Sequence, residues 1–206
     1  MERGQYIRLI STNQKEIDAF NLEHKFIYRY VPMERLLDIL QNENITFVNP
    51  QKWNDPFDNL LFRLLTENEL KGTFLNSIYC LCFTLTPHSQ AFWKTYSPDG
   101  FSARLKINTT NFLNILGNLN DKVWLGKMQY ILEKDLVKTF QNTKELKASL
   151  KLKEPNDTFL KLFHYKRIPF EYENEVRLLI QAEPIKLGVR KVQIKPRVLF
   201  EEIRLD

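Results

Sequence analysis

β-Branched and aromatic residues crowd FIYRYV, residues 26–31, and the segment reads as a first strand. The period then lengthens. In PMERLLDILQNE, which begins at Pro32, Leu36, Leu37, Ile39 and Leu40 recur at helical spacing. Pro32 suits the first turn of that helix, where its missing N–H has no partner to lose. NITFVNP, residues 44–50, returns to strand character and stops at Asn49-Pro50. WNDPFD follows as a loop, with Asp58 or Asn59 placed to cap a helix running to about Lys71.

SIYCLCFTLT, residues 77–86, predicts a buried strand, and HSQAFWKTY a short helix after it. Pro98-Asp99-Gly100 marks a turn into the strand FSARLKI. KVWLGKMQYI, residues 122–131, reads as one further strand. Two helices are expected next, from Glu133 to Leu152 and from Asn156, as cap, to Tyr165. VRLLIQA, VRKVQI and LFEEIRL predict three closing strands. Strands and helices mix without strict alternation, and neither a repeat nor a low-complexity linker divides the chain. The expectation is one α+β domain spanning residues 1–206, with mixed or antiparallel sheets flanked by helices.

Composition narrows this only a little. With 43% hydrophobic residues and only 6 glycines in 206, the chain has the material for a real core, and disorder is not expected. The net charge of +5 suits a phosphate-bearing ligand or a nucleic acid without requiring either. Cys80 and Cys82 leave a strand on the same side, poor geometry for a bridge, so they read as reduced, buried thiols. A Cys80, Cys82 and His88 metal site is the competing reading. The first residues carry charges throughout, with no apolar leader, and no run is long enough to span a bilayer. A soluble, cytoplasmic protein without a membrane partner is expected.

Candidate chemistry centres on FEYENEVRLL, residues 170–179. If residues 172–181 are extended, Val176, Leu178 and Ile180 share one face, and Glu173, Glu175 and Arg177 the other. The two carboxylates would then stand roughly 7 Å apart. Such a row is either a solvated edge with cross-strand ion pairs or a catalytic pair at a cleft. Three further clusters stand out. Asn54, Asp55 and Phe57 belong to a rigid loop, structural or cleft-lining. Thr84 and Thr86 can cap a helix or contact a ribose, while Trp93 and Tyr96 share a helical face. Arg29, between Tyr28 and Tyr30, either faces solvent or reaches for a phosphate. A metal-dependent nuclease would need Asp55 and Asp58 joined to Glu173 or Glu175, and no lysine follows either glutamate at E-x-K spacing.

In their order along the chain these residues resemble a widespread bacterial family, domain of unknown function 2971. The matches are Tyr28-Arg29-Tyr30, Asn54-Asp55-Pro56-Phe57-Asp58, Cys82-Phe83-Thr84, Trp93 with Tyr96 and Gly100, and Phe170 through Arg177. They cover about residues 26–181, with Asp58 standing for Glu, Thr84 for Ser and Phe170 for Trp in the family pattern. A more distant similarity is to R-S-E type ADP-ribosyltransferases, through Arg29, Thr84-Leu85-Thr86 and Glu173-Asn174-Glu175. That resemblance implies a split-sheet, ADP-ribosyltransferase-like fold with NAD, as substrate, in a cleft between two small sheets. Arg29 would hold a phosphate or ribose, and Thr84 or Thr86 would support the nicotinamide ribose. Glu175 would be the catalytic carboxylate and Glu173 would orient or deprotonate the acceptor. Tyr30, Trp93 or Tyr96 would stack on nicotinamide or adenine. The acceptor would be a macromolecule, protein or nucleic acid, in a toxin or phage-defence setting; hydrolysis of NAD is the variant reaction. The alternative is a nucleic-acid-binding or metal-dependent nucleic-acid-processing protein.

Overall fold

A computed structural model describes residues 6–8, 20, 23–53, 74–119, 121–141 and 157–206. They form one α+β domain built on a nine-stranded sheet. The strands are β1 (Tyr6–Arg8), β2 (Phe26–Pro32), β3 (Asn44–Val48), β4 (Ile78–Thr84), β5 (Ser102–Asn108) and β6 (Lys122–Lys127). Beyond a two-stranded unit, β7 (Gln129–Ile131) with β8 (Tyr165–Arg167), come β9 (Glu175–Gln181), β10 (Val189–Gln193) and β11 (Phe200–Leu205). The main sheet runs β1-β6-β9-β4-β2-β5-β11, and its pairs are antiparallel throughout.

The sheet branches at β4. Along one edge β4 pairs with β9 over its whole length, from Ile78↔Gln181 to Thr84↔Glu175. Along the other it meets β3 only at Val48↔Cys80 and β2 only at Tyr28↔Thr84. One limb continues through β2, β5 and β11; the other runs through β3 to β10. Where two neighbours diverge from one strand, the space between them is not closed by backbone hydrogen bonds, and a cleft opens there.

Both faces of β4 and β9 are covered. Tyr79, Leu81 and Phe83, with Val176, Leu178 and Ile180, join one hydrophobic cluster together with Phe47, Leu105 and Phe112. Ile78, Cys80 and Leu179 join a second, with Trp124, Phe159 and Phe163. Each such side chain contributes about 1.5–3 kcal/mol on full burial, enough in sum to tolerate charged groups at the end of β9. The odd-numbered face of β9 is therefore interior, and the solvated-edge reading of that face does not hold.

The helices are α1 (Met33–Asn42), α2 (Gln90–Tyr96), α3 (Thr109–Gly117), α4 (Glu133–Gln141), α5 (Asp157–Leu162) and α6 (Pro196–Leu199). Ser89 caps α2 by accepting from the Phe92 N–H at 3.3 Å. None of the described helices is long and apolar enough to cross a membrane. Several expectations need correction. KVWLGKMQYI is two strands, because the Met128 N–H turns to the Glu175 carbonyl and Gln129 to that of His164, carrying β7 onto β8. The second predicted helix ends at Leu162, and Tyr165–Arg167 is extended, in parallel register with β7. The Asp58 or Asn59 cap, its helix to Lys71, the Asn156 cap and the end of the helix from Glu133 lie outside the described residues.

Candidate functional site

The last residues of β4 and the first of β9 form the floor of the cleft, because Thr84 and Glu175 are register partners and Tyr28 faces Thr84 from β2. The cavity measures about 460 Å³, within the range of small-molecule sites. Its wall includes Arg29, Tyr30, Thr84, Tyr96, Glu173 and Glu175, so six of the sequence candidates meet at one place. Thr86 and Trp93 do not line it. The Thr86 N–H instead donates to the Thr84 hydroxyl at 3.0 Å. The Trp93 ring packs edge-on against Tyr30, 4.7 Å between centroids. Asn54, Asp55 and Phe57 lie outside the described residues.

Glu173 does not sit on β9. Residues Ile168–Glu173 form a 3₁₀ turn, and Asn174 closes it at φ 41° with its N–H on the Glu171 carbonyl. Asparagine tolerates the left-handed region better than most residues, which suits it to this reversal. The turn leaves Glu171 exposed and folds Glu173 inward, where it is 6% exposed. Thr84 secures the turn from the neighbouring strand, its hydroxyl donating to the Glu173 carbonyl at 2.6 Å.

Two cations complete the cluster: Arg177, which the sequence placed on the same face, and Lys166, which sequence reasoning passed over. Lys166, on β8, donates to Glu173 Oε2 at 2.5 Å and to Glu175 Oε2 at 2.9 Å. Arg177, 2% exposed, donates from Nε to Glu175 Oε1 at 2.6 Å and from a terminal nitrogen to the Phe163 carbonyl at 2.9 Å. Its guanidinium lies 4.6 Å from the Trp53 ring centre. Burial alone would raise the Glu175 pKa, but the charges of Arg177 and Lys166 outweigh it and hold the carboxyl down at about 2. Glu175 is thus ionised at every physiological pH. Tyr130 accepts the Glu175 N–H at 2.8 Å, and burial pushes its phenol up to about 12.

Arg29 differs from these two cations. It is half-buried, it donates to the Cys82 carbonyl at 2.6 Å, and its guanidinium lies 5.9 Å from the Phe83 ring centre. Burial pulls its pKa below the usual arginine value, and no carboxylate of the described residues is among the causes of the shift. Lys166 and Arg177 are bonded to Glu173 and Glu175, whereas the Arg29 bond runs to a backbone carbonyl.

One wall is aromatic. Tyr30 stacks on Phe92 at 5.0 Å and 10°, and Phe92 on Tyr96 at 5.7 Å and 21°. Phe92 joins Tyr96 among the cleft-lining residues of α2, and Trp93 does not line it. The signal was available, since Phe92 and Tyr96 are four apart on α2 and share a face. Lys166 had no comparable signal, as only the fold brings β8 beside the turn. Cys82 also lines the cavity, but a hydrogen bond with Cys80 and burial push its thiol well above the ordinary value, which disfavours the thiolate. Both cysteines are free, and His88 stands against Arg104 at 2.8 Å. Among the described residues no group of three or more His, Cys, Asp or Glu is arranged to hold a metal. No family model, curated protein or solved structure matches the chain.

Proposed function

We propose that this cleft binds NAD and breaks the bond between nicotinamide and ribose, passing ADP-ribose to a macromolecular acceptor or to water. The observation that carries the reading is the meeting of Arg29, Thr84 and Glu175 on three adjoining strands, with Thr84 and Glu175 in direct register at one cavity. The family resemblance and the ADP-ribosyltransferase-like reading of the branched sheet belong to the same proposal.

The chemistry follows from charge. The nicotinamide of NAD is cationic and departs with the electron pair of its bond to C1′, leaving as a neutral ring. The positive charge passes to the ribose as an oxocarbenium ion, and a fixed carboxylate beside it lowers the barrier. Glu175, held ionised, is that carboxylate. The acceptor then bonds to C1′ and gives up its proton to Glu173, so the products are free nicotinamide, an ADP-ribosylated acceptor and one proton. Arg29, with no carboxylate partner among the described residues, meets the pyrophosphate. The stack of Tyr30, Phe92 and Tyr96 offers a face to a planar ring.

The metal-dependent nuclease alternative has less to stand on, because Glu173 and Glu175 are already ion-paired with Lys166 and Arg177, while Asp55 and Asp58 lie outside the described residues. Incubating the purified protein with NAD and measuring nicotinamide release tests the proposal, with Glu175→Gln as control. Release by the wild type that the variant lacks supports it. No release, together with no binding of NAD at millimolar concentration, overturns it.

A further inference from the structure

The small β7–β8 unit has no part in the cleavage chemistry just described, yet two of its residues grip Glu175. Tyr130 and Lys166 are register partners in that unit. The Tyr130 hydroxyl takes the Glu175 N–H, and the Lys166 ammonium takes both carboxylates. Among the described residues Lys166 is the side chain bonded to Glu173 and Glu175 together. It is only 10% exposed, and the Phe170 ring lies 5.0 Å from its nitrogen.

We infer that Lys166 is the positioning residue of this site: it draws two carboxylates from different backbone conformations, a turn and a strand, onto one nitrogen and keeps them charged side by side. Without it, two buried carboxylates at this separation repel, and one of them takes up a proton or swings away. Arg177 does not replace it, being bonded to Glu175 and anchored on the Phe163 carbonyl. This inference rests on the NAD reading for its consequence in catalysis, but its electrostatic content stands on the geometry alone.

Among the described residues, the groups facing Glu175 come from several neighbouring elements. Arg177 lies on its own strand, Lys166 and Tyr130 on the small unit, and Glu173 on the turn. Cys82 approaches from β4, Tyr96 from α2, and His164 from the segment after α5. Of these described groups, Lys166 and Arg177 are the cations, so neutralising Lys166 leaves Arg177 as their cation against Glu175.

The test compares the full chain with Lys166→Met and Lys166→Arg. Carbon-13 labelling of the glutamate carboxyls follows their titration by NMR, with Glu173→Gln and Glu175→Gln for assignment. In Lys166→Met the Glu175 carboxyl should titrate about one pH unit or more above its wild-type position. The acid limb of nicotinamide release should move the same way. Its kcat should fall about tenfold or more with KM changed less than about threefold, the mark of an interaction that acts on the reaction rather than on ground-state binding. Lys166→Arg, which keeps the charge, should restore the wild-type titration. Where methionine leaves the chain unfolded, Lys166→Gln keeps a donor without the charge and should show the same shift. A folded neutral variant whose carboxyl titration matches the wild type overturns the inference. Wild-type protein that neither releases nicotinamide nor binds NAD at millimolar concentration overturns the NAD reading and leaves the carboxyl titration as the test of Lys166.

Discussion

Thr84 and Glu175 stand directly opposite each other where β4 meets β9, and the Thr84 hydroxyl reaches past its partner to the Glu173 carbonyl at 2.6 Å. One buried threonine thus joins the strand that carries one glutamate to the turn that carries the other. Its oxygen also accepts the Thr86 N–H, so both hydrogen-bonding roles of the hydroxyl are used.

Replacing it tests that joint. Thr84→Val keeps the shape but strands a buried carbonyl and a backbone N–H, and should cost about 1–3 kcal/mol in urea unfolding. Thr84→Ser keeps the hydroxyl and should stay within about 1 kcal/mol of the wild type. Nicotinamide release should fall in the valine variant and persist in the serine one.

Glu175→Gln removes a charge that two buried cations surround. Breaking such a pair from one side should destabilise the fold by about 3–5 kcal/mol and reduce NAD cleavage about a hundredfold or more. The pH dependence has a definite sign. The folded-state pKa, about 2, lies below the ordinary glutamate value of 4.5. The stabilisation is therefore complete above about pH 4.5 and is lost as pH falls toward 2, about 3 kcal/mol in all. Unfolding curves across that range should be flatter in Glu175→Gln than in the wild type.

Arg29 should show the opposite balance. Among the described residues its half-buried charge has no carboxylate to offset its desolvation, so Arg29→Met should leave stability within about 1 kcal/mol or raise it. Binding of NAD, followed by calorimetry, should weaken about tenfold or more.

His164 offers a second acid-sensitive point, behind Arg177. It is fully buried, and burial lowers its pKa from 6.5 to about 4. The unfolded chain takes up the proton first as pH falls, so stability should drop between about pH 6.5 and 4, by up to about 3 kcal/mol, and then level off. His164→Phe should remove this slope in urea unfolding. Gly126 supplies the space, since a Cβ there would stand 2.6 Å from the imidazole ring. Gly126→Ala should destabilise by about 1–3 kcal/mol.

Much of the frame was legible along the chain. β2, β3, β4, β5, β9, β10 and β11, together with α1 and α2, lie close to where hydrophobic spacing put them, because those segments bury a face whose period is local. The breaks came where tertiary bonds redirect the backbone. Met128 leaves the β6 line to bond Glu175, and Tyr165–Arg167 is extended because β7 lies beside it. Neither partner is a sequence neighbour, so neither break carries a local signal.

The candidate site divides in the same way. Glu173, Glu175 and Arg177 were visible as a group because covalent spacing keeps them close in any fold, and Arg29 and Thr84 were visible as polar residues inside apolar strands. Whether the odd face of β9 met water or protein was not written in its period, which assigns residues to faces but does not say what covers them. Only the packing of Trp124, Phe159 and Phe163 against that face decided it, and with it the burial of the charges. Lys166 and Tyr130 became visible only once β7 and β8 paired. What the order of residues determined was which groups are available; which of them share a proton, a charge or a ligand was decided by strands brought side by side from distant parts of the chain.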